Sequence, residues 1–499
     1  MLRERFSRPL SDAALALSAS TDEDRALLAV DLWGSLAHAR MLGATGLVPA
    51  RSARRVEAGL ARIARAVDAG RFRLDSALED VHLNVERALT RAIGDDGARL
   101  PTGRSRNDQI AVDLALYLRD RLLDLEAATA EVADALLMAA RGPDGGRTVA
   151  AWTHLQPAQR VYWAQLLGSH ALRFVRDAER FARLRATLTD CPLGSGAIAG
   201  SSLPLDRALV ARLLGFSRPG PSSIDGVSDR DAGVEALLGI ALVALHASAL
   251  AEELVVGSMP ELDRVRLDDA FVTTSSLMPH KRNPDTAELV RASAGPALGR
   301  LVAIFTVLKG VPIGYQRDLQ VGKPILFDAV RDARTVLAAV APMVASARFK
   351  DGAAFPSQPT ASVEIVDALV RAGVPFRRAH ARVGRFLARR TERALTDAEV
   401  RAAFPELAGF SLPGPAEEPE RRTTRGGSAR AEVDRLLGEV AARVRAVNRR
   451  ADRERARLAK LRRALGAPAA SAGPGRSVTS RRSPLRPRGP SRRSGRRAP

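Results

Sequence analysis

A polar loop runs into an apolar repeat at Thr273-Thr274-Ser275-Ser276-Leu277-Met278-Pro279-His280-Lys281-Arg282-Asn283-Pro284-Asp285. Pro284 is typical of the first residue of a helix, because its fixed φ and missing N–H are tolerated there. After it, apolar residues recur at helical spacing: Leu289, Val290, Ala294, Leu298, Leu301 and Val302. The loop is therefore expected at a helix N-terminus, where free N–H groups and the helix dipole favour an anionic ligand. Taken alone, the stretch is equally typical of a polar loop with a basic rim.

The composition favours a large helical protein. The chain has 499 residues, of which 46% are hydrophobic and only 4% aromatic, and this length suggests about two to four domains. The single cysteine, Cys191, excludes an internal disulfide framework. The N-terminus is polar, and no uninterrupted apolar run reaches the roughly 18 residues of a membrane span. We expect a soluble cytoplasmic protein.

The positive charge is concentrated at the C-terminus. Of the net charge of +21, residues 441–499 carry +17 and residues 1–440 only +4. Residues 466–499 consist mainly of Pro, Gly, Ser, Ala and Arg, so they are predicted to be disordered. This tail is expected either to bind nucleic acid or other polyanions without specificity, or to be a solvated extension with no role.

Long helices are predicted for the middle of the chain, near residues 111–141, 157–188, 229–257, 284–309 and 324–347. Three of them are expected to begin at Pro157, Pro284 and Pro324. A helix of 30 residues is about 45 Å long. One subunit of compact shape cannot cover such helices on all sides, which favours bundling with other subunits.

Two further segments are rich in groups that act on carboxylates. The string Thr102-Gly103-Arg104-Ser105-Arg106-Asn107-Asp108-Gln109 presents planar guanidinium and amide donors, which bind carboxylates bidentately. The string Thr153-His154-Leu155-Gln156 precedes Pro157, so His154 is expected just ahead of a helix N-terminus, where the dipole opposes the imidazolium form. On its chemistry alone, His154 is equally consistent with a structural histidine.

These motifs carry a family resemblance. Residues Ser275 to Asn283 resemble the Gly-Ser-Ser-x-Met-Pro-x-Lys-x-Asn signature of the fumarase/aspartase superfamily. The string from Thr102 to Gln109 is very similar to the signature of its argininosuccinate lyase branch, and Thr153 to Gln156 resembles a second active-site segment of that branch. Thr274 replaces the usual glycine of the signature, which would strain the loop if φ were positive there.

The resemblance covers about residues 14–445 and implies an all-α, fumarase/aspartase-like fold. The expected domains are an N-terminal helical domain (1–110), a long central five-helix bundle (111–350), a C-terminal helical domain (351–465) and the tail (466–499). The family also implies a homotetramer whose active sites draw residues from several chains. No cofactor or metal is expected, and no His-Glu-x-x-His or paired-cysteine ligand set is present.

The resemblance also implies roles for individual residues. Ser275 and His154 carry over as catalytic residues. Tyr315 to Lys323 resemble the branch's Tyr-Asn-x-Asp-Leu-Gln-x-x-Lys segment, with Gln316 in place of Asn. The expected substrate-binding residues are Ser20, Arg104, Asn107, Thr153, Lys281, Asn283, Tyr315, Gln320 and Lys323. Helix capping is the alternative role for Ser20.

The reaction implied is the reversible elimination of fumarate from argininosuccinate to give arginine. Adenylosuccinate lyase is an alternative, since its signature often reads Lys-Arg-Asn-Pro as Lys281 to Pro284 do, although the string from Thr102 argues against it. An alternative of another class is a non-catalytic family member with a polyanion-binding tail.

Overall fold

The computed structural model describes residues 7–8, 10–351, 361–389 and 395–470, and helices dominate this part of the chain. The predicted tail falls almost wholly on residues 471–499, which lie outside the described residues. The fold is all-α, as the sequence predicted, with six short strands in three two-stranded pairs among the described residues.

The N-terminal part is a set of helices of 4 to 19 residues: α1 (Asp12–Ser18), α2 (Thr21–Asp24), α3 (Leu28–Ala44), α4 (Ala50–Asp68) and α5 (Val81–Ile93). Helices α1 and α2 are not continuous, because the backbone becomes extended at Ala19 after α1. The Ser20 N–H there donates to the Glu79 carbonyl over 2.7 Å. This bond ties the α2 start to the segment that precedes α5.

Five long helices form the central bundle: α6 (Arg106–Arg141), α7 (Trp163–Thr187), α10 (Asp231–Gly257), α12 (Ala294–Leu308) and α13 (Asp318–Ser346). The 36-residue α6 is about 54 Å long and packs against α7 and α13. Its Leu116, Leu122 and Leu136 are completely buried. The core is thus centred on α6, whose apolar residues face neighbours on several sides.

The helix starts differ from those predicted at the prolines. Pro157 lies in β2 (Gln156–Tyr162), which pairs antiparallel with β1 (Thr148–Thr153). Pro284 immediately precedes the helix α11 (Asp285–Ala292), and a break at Ser293 separates α11 from α12. Pro324 lies inside α13, where it removes one intrahelical hydrogen bond. Tertiary packing therefore overrides the usual N-terminal preference of proline at Pro157 and Pro324, whereas Pro284 lies at a helix start as predicted.

The remaining elements are short, apart from the last helix. They are α8 (Arg207–Leu214), α9 (Ser223–Ser228), α14 (Ser362–Arg371), α15 (Phe376–Ala388), α16 (Asp397–Ala403), α17 (Glu417–Glu420), α18 (Arg430–Leu465), and the strands β3 (Asp190–Cys191), β4 (Arg218–Pro219), β5 (Val265–Arg266) and β6 (Arg348–Phe349). Helices α14 to α16 enclose a small core of their own around Leu369 and Phe404, whereas α18 returns to pack on α6 and α7.

Two helical stretches, Asp231–Gly257 and Asp285–Leu308, are long and apolar enough to cross a membrane by length and composition. Half of the most apolar window of the first is buried within the subunit, but only 17% of that of the second. A buried core helix passes the same test, so burial is the better guide to what these helices contact.

A buried carboxylate joins the start of α6 to the glycine-rich segment that follows β3. Asp108 forms a capping box with Ser105, and its Oδ2 accepts hydrogen bonds from the Gly194 and Gly196 N–H groups, each over 2.9 Å. The two bonds bring the backbone of this segment close to the start of α6. They fix the loop before α6, which holds Arg104, against a second segment of the chain.

We expect Asp108→Ala to lower the free energy of unfolding by about 2 to 4 kcal/mol, because it leaves three backbone N–H groups without their acceptor. Asp134→Ala is the matched control, since Asp134 is exposed on the same helix and its loss should change stability by less than about 0.5 kcal/mol. Urea unfolding curves of the two variants and the parent measure the difference. Equal stability of both variants would show that the Asp108 bonds contribute nothing.

Candidate active site

A buried ion pair joins the N-terminal helices to α13. Lys323 Nζ donates to Asp24 Oδ1 over 2.5 Å, and the Ser20 hydroxyl donates to Asp24 Oδ2 over 2.6 Å. Lys323 is 3% exposed and Asp24 is not exposed at all. Ser20 makes no side-chain capping bond, so the capping role is not the one that its hydroxyl plays here. The structure thus brings the predicted Ser20 and Lys323 together through Asp24, which was not among the predicted site residues.

The neighbouring polar residues of α13 face the same segment. Gln320 donates from Nε2 to the Ser18 carbonyl over 3.2 Å, and Arg317 donates to the same oxygen over 2.8 Å. Arg317 also pairs with Glu79 at 3.1 Å. Tyr315 is half-buried against the main core, and burial raises the pKa of its hydroxyl. Gln320 and Lys323 therefore lie one helical turn apart on a single face.

The two predicted substrate-binding residues at the start of α6 are placed differently, Asn107 in its first turn and Arg104 in the loop before it. Asn107 donates from Nδ2 to the Ala197 carbonyl over 2.9 Å, so its amide reaches the glycine-rich segment. The Arg104 side chain is 2% exposed, and its Nη1 donates to the Ser35 hydroxyl over 3.0 Å. In the isolated subunit Arg104 therefore faces inward, beneath the loop.

His154 lies at the tip of the β1–β2 hairpin, so the prediction that it precedes a helix N-terminus is wrong. Strand pairing ends at Thr153 and Gln156, and α7 begins only at Trp163. His154 and Leu155 form the two-residue turn with φ of 57° and 58°. Both central residues of a type I′ hairpin turn need positive φ, a conformation that costs a residue with a side chain about 1 to 2 kcal/mol.

The hairpin tip is exposed although its base is anchored. Thr153, His154 and Leu155 are all exposed, Leu155 to 75%. Below them, the Arg264 guanidinium stacks on the Trp152 ring at 4.0 Å and donates to the Ala150 carbonyl. A firm base and a strained, solvent-facing tip present the imidazole outward, and strain of this kind is typical of functional sites.

The Ser275 loop is closed by a pair of backbone hydrogen bonds between Thr273 and Asn283, of 3.0 and 2.8 Å. Within it, Ser275 Oγ accepts hydrogen bonds from the Leu277 and Met278 N–H groups, over 3.2 and 3.1 Å. The predicted Lys281 is exposed on the same loop, which ends at α11. Thr274 is not among the described non-glycine residues with positive φ, so its replacement of glycine causes no backbone strain.

The predicted residues fall into separate groups within one subunit. Ser20, Gln320 and Lys323 surround one corner of α13, whereas His154 and Ser275 occupy two exposed projections. In the part of the chain that is described, no hydrogen bond or ion pair connects the side chains of His154 and Ser275 with each other or with Lys323.

A second buried cluster lies beside Arg104. Asp31, His82 and Asp113 have ligand atoms within 4.8 Å of one another, and His82 Nδ1 is 2.9 Å from Asp31 and 3.5 Å from Asp113. Burial, followed by the neighbouring Asp31 carboxylate, raises the pKa of Asp113 well above its usual value. Because Asp31 is within hydrogen-bonding distance of His82 and accepts a hydrogen bond from Gln109 of α6, the cluster is described as a hydrogen-bonded support for the start of α6.

The comparisons with known proteins identify the family of this chain. The sequence profile of the lyase family matches residues 4–299, more than half of the chain. An argininosuccinate lyase of Symbiobacterium thermophilum is 40% identical over 447 residues, which cover 88% of this chain and 97% of that protein. One of Acidothermus cellulolyticus is 44% identical and covers 77% and 79% of the two chains. The chain belongs to the argininosuccinate lyase family.

The solved structures that resemble it have the same helical fold. An EDDS lyase in complex with formate has a TM-score of 0.77 and 25% identity, and the match covers 91% of this chain and 93% of that one. A fumarate lyase from Mesorhizobium sp. BNC1 has a TM-score of 0.65 at 20% identity, covering 86% and 100%. The second likeness concerns the fold alone.

We expect Asp24→Asn to lower the free energy of unfolding by about 3 to 5 kcal/mol, because it leaves the Lys323 ammonium buried without a counter-charge. Asp22→Asn is the control: its side chain is 84% exposed on the same short helix, so stability should hardly change. Chemical denaturation measures both variants. If Asp24→Asn unfolded like Asp22→Asn, the buried pair would not hold this corner together.

Proposed function

We propose that the chain catalyses the reversible elimination of fumarate from argininosuccinate to give arginine. The observation that carries this proposal is the Ser275 loop, in which the hydroxyl oxygen accepts two backbone N–H groups beside a lysine on a loop that leads into a helix N-terminus. The relatives named as argininosuccinate lyases add to it, since they match over most of their length.

Ser275 is the proposed base. Its hydroxyl is a weak acid, so its alkoxide must be stabilised if it is to remove the Cβ proton of the succinate half. The Leu277 and Met278 N–H groups already point at that oxygen, and Lys281 adds positive charge on the same loop. Exclusion of water when substrate binds would strengthen each of these interactions.

The proton abstraction leaves negative charge on the carboxylate next to the new carbanion. Preorganised donors stabilise such charge best, and Lys281 and Asn283 are the candidates at this end of the substrate. His154 would protonate the leaving guanidino nitrogen, either directly or by positioning another donor. The remaining substrate contacts are proposed for Ser20, Arg104, Asn107, Thr153, Tyr315, Gln320 and Lys323.

The direct experiment is to incubate the purified protein with argininosuccinate and to follow the ultraviolet absorbance of fumarate. Adenylosuccinate is the comparison substrate, because the Lys281 to Pro284 string also occurs in lyases that act on it. Fumarate release from argininosuccinate alone is the expected result. Release from adenylosuccinate alone would favour the alternative lyase, and release from neither would favour a non-catalytic family member.

We also propose that the active enzyme is a cytoplasmic homotetramer with shared sites. Large apolar side chains are exposed along α11, α12 and α13, and they include Leu289, Leu298, Val302, Phe305 and Val321. Leu298, Val302 and Phe305 follow helical spacing, and each is 57% or 58% exposed. A continuous apolar face of this kind is typical of a surface that subunits cover in an assembly.

We expect Ser275→Ala to abolish exchange of the substrate Cβ proton with solvent, because this variant lacks the base. In contrast, His154→Asn should slow C–N cleavage and retain some exchange. Deuterium incorporation into argininosuccinate in heavy water, followed by NMR, measures both variants. Exchange at the parent rate in Ser275→Ala would assign the base role to another group.

We further expect inactive Ser275→Ala and inactive His154→Asn subunits to recover part of the activity when they are mixed and reassembled. The reason is that the two residues lie on separate projections of one subunit, so partners would have to complete each site. A mixed assembly then contains some sites with both residues intact. No recovery in assemblies shown by mass spectrometry to be mixed would indicate sites built within one chain.

A further inference from the structure

A cavity of about 250 Å³ lies among α6, α10, α12, α13 and the segments around Thr189 and Ser222. Most of its lining is apolar, with leucines from all four helices. Two of its lining residues are cationic, Arg230 and Lys323, and the second belongs to the buried ion pair with Asp24. An apolar cavity with a few convergent polar groups is the usual form of a small-molecule site.

Arg230 has an unused hydrogen-bonding edge. Its Nη1 donates to the carbonyls of Val227 and Asp229, over 3.3 and 2.6 Å. Its Nε and Nη2 are buried and have no hydrogen-bond partner. These two atoms form the side of the guanidinium that donates two parallel bonds to one carboxylate. Desolvation lowers the pKa of Arg230, but a guanidinium remains charged. Two buried donors of a cation without acceptors are costly unless an anion accepts from them.

We infer that Arg230 binds the α-carboxylate at the arginine end of the substrate, an inference that rests on the proposed function. The succinate half is assigned to the Ser275 loop, which has its own cation in Lys281. The Arg230 cavity instead has an apolar wall suited to a chain of methylene groups. Asp225 and Asp229 also line it and supply negative charge for an α-ammonium group. This charge pattern matches the zwitterionic end of an amino acid better than it matches a dicarboxylate.

The position of Arg230 relative to predicted site residues supports the same assignment. The charge of Arg230 interacts with the Tyr315 hydroxyl, and Lys323 lines the same cavity. Arg230 directly precedes α10, so its backbone is held by a long helix of the bundle.

Arginine and agmatine separate this role from a structural one, because agmatine is arginine without the α-carboxylate. In the direction of synthesis, agmatine is tested as a competitive inhibitor against arginine at saturating fumarate. We expect the parent enzyme to bind arginine about 10 to 100 times more tightly than agmatine. In Arg230→Met the KM for arginine should rise by a similar factor, while the KM for fumarate stays unchanged. The preference, which is the ratio of the affinity for arginine to the affinity for agmatine, should approach 1.

Two further variants complete the test. Arg230→Lys keeps the charge without the paired donors, so it should retain part of the preference. Arg218→Met is the matched control, since it removes an exposed cation that pairs with Asp190 at the same cavity, and its preference should equal that of the parent. Titration calorimetry with arginine and agmatine gives the same ratio without turnover.

The outcomes separate the two proposals. If the parent enzyme makes no argininosuccinate from arginine and fumarate, the proposed function fails. If the parent enzyme makes argininosuccinate but binds agmatine as tightly as arginine, the inference about Arg230 fails. This outcome needs no Arg230 variant, so it can be read even if none of them folds. A folded Arg230→Met that keeps the parent preference, or that raises only the KM for fumarate, also overturns it.

Discussion

The buried pair of Lys323 and Asp24 is the interaction on which the geometry of this corner depends. The two residues are 299 positions apart, and both are almost completely removed from water. A charge buried in this way costs several kcal/mol unless a partner and further hydrogen bonds compensate it, and the Ser20 hydroxyl supplies such a bond. Because the pair has one favourable arrangement, it fixes the short N-terminal helices against α13 and so places Ser20 beside Gln320 and Lys323.

The hairpin that carries His154 differs from this buried pair, because its tip is exposed to solvent and its backbone is strained. Both residues of its turn have side chains and positive φ, a conformation that asparagine and glycine adopt at a lower cost in free energy. The stacked Arg264 and the ladder below it compensate the strain. Together with the Ser275 loop, the hairpin gives a subunit with a rigid interior and two projections that hold Ser275 and His154 at the surface. Such a division is useful when a site must be completed from outside the subunit.

Helices α11 to α13 expose large apolar side chains on the surface of the subunit. Helices longer than the rest of the subunit can cover leave large side chains in water, which is unfavourable unless other surfaces bury them. In the proposed homotetramer, burial of this face would stabilise the bundle.

The sequence alone determined the helical class and the long central helices, and it supplied the residue types of the three motifs. These follow from short-range signals, namely apolar periodicity and the residue types of local strings, which act within a few turns of the chain. Tertiary structure decided where those strings lie. Pro157 entered a strand and Pro324 a helix interior, because packing and strand pairing outweigh the local preference of a proline. The contacts of Lys323 with Asp24 and of Asp108 with Gly194 could not be predicted from the sequence. The residues of each pair are far apart in the chain, and local sequence patterns do not indicate which distant residues come into contact.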